Sequence, residues 1–310
     1  MPTGRGVRLG IGDDAAWVAN PSGSSLITAD LLIEGIHFDL RWTSLFDLGY
    51  KTLAVNLSDI AAMGGNPAYL ILSLGIPADF DSNDVAEFYR GIKSLAAKTG
   101  VALVGGDTSA ADSLLVSACV IGHGPVRPIT RGGAKVGNDI YVTGTLGDSA
   151  LGLKLLRKKP QPKRGHAAQL LRRHHRPTAR LGAGALLARE NLATAMIDIS
   201  DGLRQDLGHI CQASRVGAVI WEEKLPLSRA YRALAGQAGA HYALTGGEDY
   251  ELLFCARRRV RERIEGLPKR TGVAMTRIGT CVAARDGITV RDAAGKPIAL
   301  RLTGHDHFKK

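Results

Sequence analysis

The sequence predicts a two-domain α+β fold. Three observations carry that expectation: 310 residues suffice for two domains of ordinary size, strands and helices alternate along both halves, and Gly and polar residues cluster at Gly133–Asn138 between them. The expected domains are residues 1–133 and 134–310. With 45% hydrophobic residues, 38 glycines and only 5% aromatics, the core must be built mainly from Ala, Leu, Val and Ile, with many tight turns.

In the first half, the apolar run Ser25–Ala29 reads as a strand ending at Asp30. Leu45–Met63 reads as one long helix, stopped by Gly64-Gly65. Ala68–Gly75 is a strand closed by Pro77, and Asp84–Thr99 an amphipathic helix ended by Gly100. Val101–Val104 reads as a buried strand that runs into Gly105-Gly106-Asp107, and Leu114–Gly122 as another strand. In the second half, Asp139–Thr143 is a strand, and Ser149–Leu156 is a helix broken by Pro160-Gln161-Pro162. Ala195–Ile199 is a strand, Asp201–Gln212 a helix, and Ala243–Cys255 a turn followed by a strand. Both halves set an aspartate just after a buried strand, at Gly106-Asp107 and Ser200-Asp201.

Cys119, Cys211, Cys255 and Cys281 have no CxxC spacing and read as reduced, mostly buried thiols of a cytoplasmic protein. Met1–Gly10 lacks the apolar run of a signal peptide. The longest apolar stretch, near Tyr69–Ile76, is too short to span a bilayer, so no membrane role is expected. The net charge of +11 sits in one place: Ser149–Arg189 holds eleven Lys/Arg and no Asp or Glu. That segment reads as a solvated linker and helix faces. It has few aromatics for base stacking, which argues against nucleic acid as a partner. A basic RNA-binding protein is kept as the alternative of a different class, and it predicts binding that weakens steeply with salt.

No GxxxxGK[ST] occurs and no GxGxxG follows a strand, so any nucleotide needs another device. Aspartates recur at turns and strand ends: Asp13, Asp14, Asp30, Asp59, Asp107, Asp198 and Asp201. Taken singly, each is ordinary turn or cap chemistry. Thr52, Asn56 and Asp59 share one face of a helix that is otherwise almost wholly apolar, so this stripe either borders a site or forms a core network; the site is the favoured reading. Asp198 and Ser200 share one strand face, and Asp201 can cap the helix that follows. Carboxylates gathered at ~4 Å would repel by about 4 kcal/mol per pair at an effective dielectric near 20. Magnesium removes that penalty and bridges to phosphates. Arg131, beside Gly132-Gly133, is a candidate phosphate clamp, Glu248 after Gly246-Gly247 a polar handle, and His37 a candidate ligand contact. A surface arginine, an acidic hairpin and a structural histidine are the alternatives for these three.

Together the motifs resemble the thiamine-monophosphate kinase family, within the aminoimidazole-ribotide-synthetase-like ATP enzymes. They are Gly10–Ala16, Ala29-Asp30 through His37-Phe38, Ala54–Gly64, Gly105–Thr108, Ile129–Arg131, Val142–Ala150, Asp198–Gly202 and Gly246–Leu252, in the family's order and over nearly the whole chain. The resemblance implies that fold: an N-terminal mixed sheet or half-barrel that binds ATP and Mg²⁺ and dimerises, and a C-terminal α/β sandwich that completes the site. It implies direct in-line transfer of the γ-phosphoryl group of ATP to thiamine monophosphate, several Mg²⁺ ions and a homodimer. Carried over by residue, Asp14, Thr28, Ala29, Asp30, Asp59, Asp107, Asp198 and Asp201 would hold metal. Asp59, Asp107 and Asp198 would be catalytic. Gly106, Asp107, Arg131 and Ser200 would contact ATP, and His37, Glu248 and Phe308 the thiamine substrate. A hydroxyl residue is common in the family where Ala29 stands, so Ala29 would contribute only its carbonyl. Family members carry a helical segment before the first motif, where this sequence has nine residues. A selenophosphate synthetase of the same superfamily would carry an early Cys, and none precedes Cys119.

Overall fold

The computed structural model describes residues 6–10, 12–20, 23–157 and 164–298. Phe308 and Pro160-Gln161-Pro162 lie outside these residues.

The first half is a six-stranded sheet backed by two helices. The strands are β1 (Val7–Leu9), β2 (Ala16–Asn20), β3 (Gly23–Ile33), β4 (Asn66–Ile76), β5 (Ala102–Ala110) and β6 (Leu115–Gly124), in the order β1-β2-β3-β6-β4-β5. The helices α1 (Leu45–Ala62) and α2 (Ser82–Thr99) connect β3 to β4 and β4 to β5. The pairings are antiparallel except β4 with β5, which are parallel because α2 crosses between them. Each helix begins where the sequence supplies a cap. Ser44 Oγ accepts from the Asp47 amide (3.1 Å), and Asp81 forms a capping box with Asp84. Gly100, at φ 72°, closes α2 in the left-handed conformation. The two helices approach closely because glycine stands at both contact points: a Cβ on Gly49 would lie 2.0 Å from the Phe88 carbonyl oxygen, and one on Gly91 2.0 Å from that of Phe46.

The second half is a six-stranded sheet covered on both faces. Its strands are β7 (Asp139–Thr143), β8 (Ala193–Asp198), β9 (Val216–Trp221), β10 (Leu252–Ala256), β11 (Met275–Ala283) and β12 (Ile288–Arg291), ordered β12-β9-β11-β7-β10-β8. One face packs on α6 (Leu203–Ser214) and the short α8 (His241–Thr245). The other packs on α5 (Leu181–Arg189) and the segment of α9 (Arg261–Glu265) and α10 (Pro268–Thr271). Ala61 and Ala62 of α1 join this second core, so α1 is shared between the halves. A smaller cluster joins α3 (Asp148–Leu156), α4 (Gly165–His175) and α7 (Arg229–Leu234).

Several expectations change. Of the Val101–Val104 segment only Val101 is buried: the other three residues lie in β5, an edge strand exposed along its whole length, with Val104 57% exposed. Its apolar residues read as core because an uncovered sheet edge and a buried one have the same composition. The strand also continues through Gly105-Gly106. Gly106 is required there because a Cβ would lie 1.7 Å from the Leu72 carbonyl oxygen of β4. Asp201 does not cap α6; Gly202 is the N-cap, and the Asp206 carboxylate reaches back to accept from the Asp201 (3.2 Å) and Gly202 (3.0 Å) amides. The basic segment is not simply solvated. Arg173 and Arg180 clamp the buried Glu251 carboxylate, which also accepts from Thr143 Oγ1 at 2.7 Å. Burial pushes the Glu251 carboxyl up, but the two guanidinium groups outweigh it and hold its pKa below the usual value.

Candidate active site

Four separate elements deliver carboxylates to one place. Asp14 precedes β2, Asp30 lies on β3, Asp59 sits in the last turn of α1, and Asp198 ends β8. Asp14, Asp59 and Asp198 each offer an oxygen within 4.8 Å of the others. Thr28 Oγ1 donates to Asp59 Oδ2 at 2.5 Å. Burial pushes the Asp14 and Asp59 carboxyls well above the usual range, and the Asp198 charge pushes them further. Asp30 is pushed up to about 6 by burial and then by Asp198. Asp198 is raised to about 6 by burial, against the Ser58 hydroxyl and Arg131. Asp14 Oδ2 and Asp198 Oδ2 are buried with no donor among the described residues. Buried, crowded, unpartnered carboxylate oxygens are costly unless a cation sits among them. The donor set is all oxygen, which fits Mg²⁺ in preference to softer metals.

The polar stripe of α1 divides in two. Thr52 and Asn56 are fully buried and donate to carbonyls of their own helix, Thr52 Oγ1 to Leu48 (2.9 Å) and Asn56 Nδ2 to Thr52 (3.1 Å). Only Asp59 reaches the cavity. Arg131 stands over the cluster, with Nη2 donating to Asp14 Oδ1 (3.1 Å) and its amide to Asp13 Oδ2 (2.9 Å). Asp201 lies beyond Asp198, and its Oδ2 accepts from Gln205 Nε2 at 3.0 Å.

Asp30, Asp59 and Asp198 border a cavity of about 650 Å³, a volume suited to small molecules. Ser200, Asp201, His37 and Glu248 also line it, as do the apolar Phe38 and Trp42. His37 Nδ1 accepts from the Ile33 amide at 3.1 Å. Glu248 adopts φ 64°, and its amide donates to the Ser200 carbonyl at 2.7 Å. Gly247 permits this approach, since a Cβ there would lie 2.3 Å from the Ser200 oxygen. Behind Glu248 stand two residues that the sequence did not single out. Lys51 Nζ of α1 lies 2.7 Å from Oε1, and His174 Nδ1 of α4 lies 3.1 Å from Oε2. Lys51 could have been found by the signal that marked Asp59, a lone charge within an apolar helix. His174 carried no signal inside a segment dominated by its cations.

Gly106 and Asp107 are not brought to this cavity within one chain. The register sets Leu31, Ser117, Ser73 and Asp107 in one row across β3-β6-β4-β5, on the face opposite the helices. Asp30 lies in the adjacent row, opposite the buried Ala118 and on the helix-covered face. Ala29 shares the uncovered face with Leu31 and has no side-chain ligand atom.

The chain matches the models of the AIR synthase related protein N-terminal domain at residues 12–123 and C-terminal domain at residues 135–291. It is 42% identical over 307 residues to the thiamine-monophosphate kinase of Escherichia coli K12, covering 97% of this chain and 92% of that protein. Among solved structures, AaThiL complexed with AMPPCP and TMP superposes with a TM-score of 0.86 at 36% identity, covering 96% of this chain and 92% of that one. The thiamine-monophosphate kinase of Stenotrophomonas maltophilia K279a gives 0.81 at 39% identity, with 92% and 91% covered.

Proposed function

The chain belongs to the thiamine-monophosphate kinase family of AIR synthase related proteins, and from that premise we propose how its residues carry out the reaction. It is an ATP-dependent kinase that phosphorylates thiamine monophosphate. An oxygen of the acceptor phosphate attacks the γ-phosphorus, the bond from that phosphorus to the β–γ bridging oxygen breaks, and ADP leaves. A phosphate oxygen is already anionic at neutral pH, so no general base is needed. What remains is alignment of two polyanions and neutralisation of their crowded charge.

Divalent cations, read here as several Mg²⁺, supply that neutralisation; Asp14, Asp30, Asp59 and Asp198 would hold them, with the Thr28 hydroxyl fixing Asp59 and Asp201 nearby. Arg131 and Ser200 are assigned to the nucleotide. The apolar part of the cavity, with His37 and Glu248, is assigned to the thiamine moiety, and Phe308 keeps that assignment from the family resemblance alone. Residues 1–133 and 134–310 act as the two domains between which substrates meet. The reading places the enzyme in the cytoplasm, where ATP is supplied and its four free cysteines stay reduced. It acts as a homodimer joined through the uncovered face and β5 edge of the first sheet. Leu31, Tyr69, Ile71, Leu103 and Val104 are exposed there, and apolar residues gathered on one face mark an interaction surface.

The observation that carries this reading is the trio Asp14, Asp59 and Asp198, gathered within 4.8 Å, with Asp59 and Asp198 bordering a cavity large enough for substrate. An ADP-release assay tests it. Release should require thiamine monophosphate and stop on adding EDTA. Undiminished release in EDTA would remove the metal assignment, and release independent of the acceptor would remove the kinase assignment.

A further inference from the structure

We propose that Lys51 and His174 are positioning residues that hold the Glu248 carboxylate at the acceptor end of the cavity, so that selection of the thiamine moiety depends on a buried lysine of the other domain. The inference rests on the placement of Glu248 in the acceptor subsite argued above.

Glu248 alone would be a poor recognition element. It sits on a turn of positive φ, and a flexible acidic side chain facing water samples many rotamers. Here both oxygens are taken from behind. Lys51 Nζ contacts Oε1 at 2.7 Å, and His174 Nδ1 contacts Oε2 at 3.1 Å. Lys51 has only 4% of its side chain exposed and lies on a helix whose neighbours Leu48, Thr52 and Val55 are buried, so Glu248 serves as its counter-ion. Burial and the Lys51 charge lower the pKa of His174 and favour the neutral ring, and Nδ1, which lies between Glu248 Oε2 and Ser149 Oγ (3.0 Å), meets the carboxylate when it carries the ring proton. Burial would raise the Glu248 pKa, but Lys51 and His174 outweigh it and hold it well below the usual carboxylate range. The result is a permanently charged, fixed acceptor, 28% of whose side chain is exposed to the cavity. Such a group suits the cationic ring or the amine donor of the thiamine moiety. Lys51 belongs to α1, which also carries Asp59, so one helix sets both the acid cluster and the acceptor-binding carboxylate.

Steady-state kinetics of Lys51→Met, His174→Leu, Glu248→Gln and Lys51→Met/Glu248→Gln test this. The double variant leaves no unpaired charge and keeps the test open if Lys51→Met alone folds poorly. Lys51→Met should raise KM for thiamine monophosphate about tenfold or more while KM for ATP moves less than about twofold, and His174→Leu should act in the same direction. Adding Lys51→Met to Glu248→Gln should change KM no further, because Lys51 acts through Glu248. If Glu248→Gln raises the acceptor KM and Lys51→Met does not, or if the double variant shows the product of the two effects, the positioning role is wrong and the Glu248 assignment stands. If Glu248→Gln leaves the acceptor KM unchanged, that assignment fails and the positioning role falls with it. An equal rise in both KM values would mark Lys51 as merely structural.

Discussion

At the residue scale, the acid cluster sets function against stability. Asp59 is half-buried beside Asp14, Asp30 and Asp198, each of which raises its pKa. Asparagine has the same shape and keeps an oxygen to accept from Thr28, but it removes the charge that a cation needs. Asp59→Asn should therefore lower kcat at least about a hundredfold, with an unchanged circular dichroism spectrum. In EDTA the same variant should melt at a higher temperature than the parent, since it has no carboxyl that must either repel its neighbours or take up a proton to fold. Full turnover, or a lower melting point in EDTA, would show that Asp59 serves another purpose. Asp59 was legible in the sequence because a carboxylate has no reason to sit within an apolar helix. Thr52 and Asn56 carried the same pattern yet donate to carbonyls of their own helix, although Asn56 Oδ1 stays buried without a donor among the described residues, and polarity alone does not tell these cases apart. Lys51 was legible in principle, but its meaning needed Glu248, 197 residues away in the chain, to be placed beside it.

At the scale of elements, α4 shows how charge count misleads. The basic run suggested solvated faces, yet Leu170, Leu171 and His174 are buried and Arg173 is spent on Glu251. Cations near its C-terminus also suit the helix dipole. His175 ends the helix with its pKa lowered to about 4, chiefly by burial, then by His174, with Lys51 and Arg176 adding and Asp47 opposing. The unfolded chain takes up this proton near the ordinary value of about 6.5, whereas the folded chain resists until about 4. Stability from His175 is thus complete above pH 6.5 and is lost as pH falls through about 4. Urea titrations should show His175→Gln losing about 2 kcal/mol less than the parent between pH 7 and pH 5. Identical losses would mean that His175 titrates in the folded protein as freely as in the unfolded one. Helix ends marked by local chemistry were readable, as at Gly100, and Ser44 and Asp81 prove to cap the two starts. The exposure of β5 was not, because it depends on which strand becomes the edge.

At the scale of the whole molecule, strand order is the part that no local pattern specifies. β6 inserts between β3 and β4, leaving β5 at the edge and setting Asp107 on the face opposite the acid cluster. Three strand spacings separate it from β3, about 14 Å at ~4.8 Å each. If Asp107 serves the reaction, as the family resemblance implies, a second copy docked on the uncovered face is the means of delivering it to a cluster. Complementation decides this. Asp59→Asn and Asp107→Asn chains are each expected to be nearly inactive. A mixed dimer would contain one site with both defects and one with neither, because an intact cluster on one subunit would meet an intact Asp107 from the other. Co-refolding equal amounts should therefore restore about a quarter of the parental activity, half the dimers being mixed and each having one working site. Val104→Glu, which places a charge on the exposed β5 edge, should convert the dimer to monomer in size-exclusion light scattering and abolish the restoration. No recovery on mixing, from chains shown to exchange, would place Asp107 in its own subunit's site or outside the chemistry altogether.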